Sequence, residues 1–141
     1  VPRRILDRIR EAIRNAAFDM TVHAVEEMAE DGLDLWDVET SLLNGKVVKR
    51  ERDDRHGARV MAKMFGYGCE YCDGVVRPKR VEREAFKHKT GFVILEDVEV
   101  GVCSKCGNRY YSADTLKRVE SIATGKIPPE RTEPVPVAHA R

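Results

Sequence analysis

The sequence predicts an α+β fold in which N-terminal helices and a β-hairpin are followed by a second, cysteine-bearing β-hairpin and a C-terminal helix. Three observations carry that expectation. Apolar residues recur at helical spacing as far as Asn44, and the period then changes to the alternation of extended chain. All four cysteines fall in two CxxC pairs, Cys69-Glu-Tyr-Cys72 and Cys103-Ser-Lys-Cys106, thirty residues apart.

The elements follow in order. Ile5, Leu6, Ile9 and Ile13 mark an amphipathic helix over about residues 3–16,. Thr21 is a cap for a second helix with Val22, Val25 and Met28 on one stripe, closed by Gly32,. Asp34 is a cap for a third, with Leu35, Val38 and Leu42 inward and Asn44-Gly45 as its stop,. Trp36, the single tryptophan, is expected in the core or at a domain interface. Val47 and Val48, then Val60, Ala62 and Met64, read as a hairpin around the loop 53–57,. Extended segments at about 75–87 and 92–102, turning at Thr90-Gly91, form the second hairpin,. Ser112 caps a last helix with Leu116, Val119 and Ile122 on one face, ended by Gly125,.

Two residues between cysteines let one tight turn aim both sulfurs at a single ion, and two such turns make a tetrahedron of thiolates. The second hairpin brings the pairs to one end. The expected cofactor is one structural Zn²⁺ per chain, held by Cys69, Cys72, Cys103 and Cys106 in a zinc-ribbon-like arrangement,. Rubredoxin-like iron, disulfides and thiol redox use are the competing readings. Four sulfurs leave no open position for zinc chemistry on a substrate. Gly74 and Gly107 are expected where the turns need positive φ,. Lys105 and Arg109 are candidates to offset the negative charge of the site,.

At 141 residues, 42% hydrophobic and 35% charged, the chain suits one medium domain or two small ones,. The division expected is 1–65, 66–126 and a flexible proline-containing tail at 127–141. A net charge of +1 gives no global pull towards nucleic acid or membrane,. No apolar run approaches the ~20 residues of a membrane span. With four separate thiols and no apolar leader at the start, the expected location is cytoplasmic.

Two resemblances add to this. Thr21-Val22-His23-Ala24, Glu27-Met28, Gly32-Leu33, Val38 and Asn44-Gly45-Lys46-Val47-Val48 resemble a bacterial family of unknown function that is itself similar to small RelE-like and MqsR-like ribonuclease toxins. That likeness spans about residues 18–64. It implies a toxin-like α+β unit, shortened here, because one hairpin alone precedes Cys69 where such toxins continue into strands bearing the RNA-cleaving side chains. Residues 67–126 resemble the YgiT-type zinc finger of MqsA-like antitoxins, on the cysteine spacing, the Val98–Val102 run and the helix after Ser112. The resemblance implies structural zinc and a domain that masks a toxin-like partner. The operator-binding helix-turn-helix of MqsA has no counterpart expected in the short, proline-rich segment 126–141.

The function expected is therefore a structural zinc-binding protein of toxin–antitoxin type, acting through protein contacts and not as an enzyme. One rival is a ribonuclease using His23, Arg59 and Lys63 as acid, base or phosphate-binding groups,. His23 better suits capping or packing at its helix start, since no partner stands at fixed spacing to make it a general base. His56, His88 and His139 are expected in solvent. The other rival is nucleic-acid binding through Arg77, Lys79, Arg80, Arg83, Lys87 and Lys89, against which stands the reading of an ordinary solvated strand face,. An exposed hairpin edge favours a homodimer.

Overall fold

The computed structural model describes residues 5–46 and 65–141. The hairpin expected at 46–64 lies outside the described residues, apart from Lys46, and so do Arg59, Lys63 and His56. Among the described residues the fold is α+β, with four helices and a four-stranded antiparallel sheet. The elements are α1 (Ile5–Arg14), β1 (Asp19–Thr21), α2 (Val22–Glu30), α3 (Leu35–Asn44), β2 (Val76–His88), β3 (Gly91–Cys103), β4 (Arg109–Ser112) and α4 (Ala113–Ala123). The strand order is β1-β4-β3-β2.

Local chemistry sets the helix ends. The Thr21 hydroxyl accepts from the Ala24 amide at 3.1 Å, and Gly32 takes φ +71° just beyond α2,. Asp34 and Asp37 form a reciprocal capping box at 2.9 Å on each side,. Arg10 reaches from α1 to the Gly45 carbonyl at 3.0 Å, satisfying the open end of α3,. The Asp37 amide, and then Lys89 at 3.2 Å, hold the Asp34 carboxyl below its usual value of 3.8. Because the folded value is depressed, this contribution is present above pH 3.8 and is lost as the pH falls through the lowered value. Asp34→Ala should cost about 1 kcal/mol at neutral pH. Urea titrations of both proteins should show the gap closing on acidification.

The long hairpin β2–β3 is the frame. Its register runs from Val76 opposite Cys103 to His88 opposite Gly91, so Lys89 and Thr90 form the turn and Gly91 takes φ +134° beside it,. Val93 and Leu95 pack into the core with odd numbers, whereas Val98 and Val100 do so with even ones. The parity changes at Asp97, whose φ is +53° and whose carbonyl and carboxylate both accept from Arg80, at 2.7 and 3.1 Å. An aspartate tolerates this left-handed conformation better than a branched residue would.

The described segment 5–46 is tied to this frame through β1, α2 and α3. β1 pairs with β4, Met20 opposite Tyr111. Val25 of α2 and Leu35 of α3 share one core cluster with Phe86, Val93, Val98, Val100, Tyr111, Leu116 and Val119. A common core therefore crosses the expected boundary at residue 65. A smaller cluster of Phe65, Val76, Tyr110, Cys69 and Cys103 sits at the cysteine end. Gly101 joins β3 to it: a Cβ there would lie 2.5 Å from the Phe65 ring and 2.7 Å from Val76, so a side chain would displace both,.

Some expectations change. Trp36 is 66% exposed, because Leu35 fills the core and the next helical position turns about 100° away from it,. Leu42, expected inward, is likewise exposed. His88 is buried, not solvated: it shares the inward parity of Phe86, and its Nδ1 accepts from the Thr90 amide at 3.2 Å. Residues 127–141 carry ion pairs onto the hairpin, Glu133 with Arg83 at 2.6 Å and Arg131 with Glu96 at 2.7 Å.

Candidate metal centre

The end of the hairpin brings the two cysteine pairs together. In the first turn the Cys69 amide donates to the Gly74 carbonyl at 2.9 Å, and in the second the Cys103 amide donates to Asn108 at the same distance. Cys103 ends β3 opposite Val76, and the Ser104 amide donates to Val75 at 2.9 Å, lacing one turn to the other. All four sulfurs lie within 4.8 Å of one another. Cys69 to Cys106 is 3.6 Å and Cys72 to Cys103 is 3.3 Å, far beyond a disulfide length of about 2.05 Å and close to the edge of a tetrahedron with ~2.3 Å metal–sulfur bonds,.

The surroundings suit thiolates. The Tyr71 amide and the Tyr110 hydroxyl both donate to Cys69 at 3.4 Å, and the Gly74 amide donates to Cys72 at 3.3 Å. The Lys105 and Cys106 amides donate to Cys103 at 3.4 and 3.5 Å, and the Asn108 side chain donates to Cys106 at 3.2 Å. The Cys106 amide, with the Lys105 amide behind it, brings the Cys103 thiol down to about 6 against the opposing pull of burial. Burial pushes the Cys69 thiol up, but the Tyr110 and Tyr71 donors outweigh it and the thiol falls below its ordinary value. For Cys72 the Gly74 amide works downward, yet the adjoining Cys103 sulfur and burial prevail and push it up to about 11. Anionic sulfurs at such spacing make the last proton hard to remove. A cation among them reverses that balance.

The glycines act differently from one another. Gly107 has φ +76° as expected, but Gly74 has no positive φ. A Cβ at Gly74 would lie 2.5 Å from the Cys103 sulfur, so glycine is needed there for clearance. The charge-offset reading of Arg109 is also corrected. Its guanidinium is held by Glu84, which in turn accepts from the Tyr111 hydroxyl at 2.9 Å, and Lys105 contributes its backbone amide. Tyr110 and Asn108 are the partners that cysteine spacing does not reveal. The aromatic pair Tyr110-Tyr111 just after the second turn was the available signal, since alternation sends one ring towards the sulfurs and the other into the main core,. Removing the hydroxyl with Tyr110→Phe should weaken metal affinity about tenfold with little loss of fold, measured by chelator competition.

The first turn also holds the N-terminal segment. The Tyr67 hydroxyl bonds Asp19, and the Tyr71 hydroxyl donates to Thr21 at 3.4 Å. Burial raises the Asp19 carboxyl, and the Tyr67 bond opposes this in part.

The other sequence candidates are dispersed. His23 is exposed and stands 4.0 Å from Glu27 on its own helix, while Thr21 does the capping. Arg59 and Lys63 lie outside the described residues, so of the three candidates only His23 is described. In the basic strand Arg80 meets Asp97, Arg83 meets Glu133 and Lys87 meets Glu30, and in the turn Lys89 meets Asp34. Four of the six basic residues thus face a carboxylate. No described helix is long and apolar enough to cross a membrane.

A family model described as "Domain of unknown function (DUF4258)" matches residues 20–83. The match takes in α2, α3, the first cysteine pair and the start of β2, stops short of the second pair, and carries no activity with it. No curated protein and no solved structure matches the chain.

Proposed function

We propose that Cys69, Cys72, Cys103 and Cys106 hold one structural Zn²⁺ per chain and that the protein acts through protein contacts, as a zinc-bearing protein of toxin–antitoxin type. The observation that carries the metal reading is the closure of four sulfurs from two separate turns to within 4.8 Å. All-sulfur donors favour zinc over hard cations, and four of them fill a tetrahedron, so the ion holds structure and leaves no position for substrate. The toxin–antitoxin reading draws support from the packing of the toxin-like helices α2 and α3 on the zinc-finger-like sheet, an arrangement suited to masking. Trp36 and Phe92, at 66% and 71% exposed, offer apolar anchors for a toxin-like partner or a second copy,.

Elemental analysis of protein purified without added metal should give one zinc per chain, and incubation with RNA should leave it intact. Metal-independent cleavage abolished by His23→Ala would overturn the non-enzymatic reading. Absence of zinc, or of any bound metal, would overturn the structural one.

A further inference from the structure

We propose that Cys106 is the site at which a peroxide attacks the metal centre, and that the first disulfide formed joins Cys106 to Cys69 across the two turns. The proposal rests on the zinc reading above. Its basis is the unequal setting of the four sulfurs. Cys69 and Cys103 are buried, at 0% and 3% exposed, whereas Cys106 is exposed. Hydrogen-bond donors withdraw electron density from a thiolate and lower its nucleophilicity, and they are unevenly shared. Cys69 receives two, from Tyr71 and Tyr110, and Cys103 receives two backbone amides. Among the described residues Cys106 has the side chain of the half-buried Asn108 alone. Cys72 lies between these extents of exposure and is further held by the Gly74 amide, part of the tight backbone turn. The sulfur open to solvent is thus also the one whose donor is a side chain with no backbone amide beside it.

The chemistry balances with hydrogen peroxide as oxidant. The Cys106 thiolate attacks one peroxide oxygen, the O–O bond breaks, and hydroxide leaves behind a sulfenic acid. The Cys69 thiolate, 3.6 Å away, then attacks that sulfur; the S–S bond forms, the S–O bond breaks and a second hydroxide leaves,. Two thiolates have given two electrons to one peroxide. Cys72 and Cys103 would then be the remaining sulfur donors, too few to hold a structural zinc.

The test uses the full zinc-loaded chain, with metal content measured first. Substoichiometric peroxide is added, released zinc is read with a chromogenic chelator, and disulfides are mapped by mass spectrometry. The expected result is zinc release in step with a Cys69–Cys106 disulfide. Asn108→Ala, which leaves all four ligands in place, should speed release by about twofold or more through loss of the donor on Cys106. A first disulfide within either CxxC pair, first oxidation at another cysteine, or an unchanged rate in Asn108→Ala would overturn the proposal while leaving the zinc reading intact. A chain purified without zinc would overturn both.

Discussion

Changing Cys103 to serine should abolish zinc retention and unfold the cysteine end of the molecule, a loss on the order of 10 kcal/mol at neutral pH. Whole domains are stable by only ~5–15 kcal/mol, so little of the fold around the site should survive. Cys103 is the severe choice among the four because it ends β3, receives two backbone amides and faces the Gly74 clearance. Its replacement leaves those amides aimed at a weaker acceptor and three thiolates without a fourth. Metal analysis and near-ultraviolet circular dichroism should report the loss together, through Tyr67, Tyr71 and Tyr110. A variant that keeps the tyrosine signal and the melting temperature of the parent would show that the sulfurs do not hold the fold.

Phe86→Ala should cost about 3–5 kcal/mol. Phe86 is fully buried, 4.6 Å from the Tyr111 ring, in a cluster that also holds Val25 and Leu35. Truncation therefore opens a cavity beneath α2, in the core that Leu35 of α3 also enters. Hydrogen exchange should show faster opening in 22–44 and in 76–103 together, and urea unfolding should remain a single transition. Faster exchange confined to the hairpin would mean that the helices draw their stability from elsewhere.

What the sequence made legible was local. Thr21, Asp34 and Ser112 announce helix starts because a cap acts over three residues, and the CxxC pairs announce a cluster of four sulfurs because each turn is self-contained. The hairpin from Val76 to Cys103 was legible from alternation and a turn signal. What escaped depends on partners far along the chain. Asp19–Thr21 is too short to declare itself a strand, and becomes one only because Tyr110–Ser112 lies alongside. His88, between two lysines, looks solvated until strand parity turns it inward. Arg109 looks destined for the sulfurs, but the Glu84 carboxylate, two strands away, holds its guanidinium, a pairing that no spacing encodes. Trp36 was assigned by residue type, and the angular step from Leu35 decided otherwise.

The pairing of β1 with β4 constrains the timing of synthesis. Asp19 meets Ser112 and Thr21 meets Tyr110, so among the described residues β1 finds its strand partner only after a much later stretch of polypeptide has left the ribosome. Helices α2 and α3 can flicker into being early, but the surface that retains them is translated afterwards,. A nascent chain halted before Arg109 would lack Tyr111, Leu116 and Val119 from the core that holds Val25 and Leu35, inviting chaperones, whereas release of the last helix would complete that core in one step.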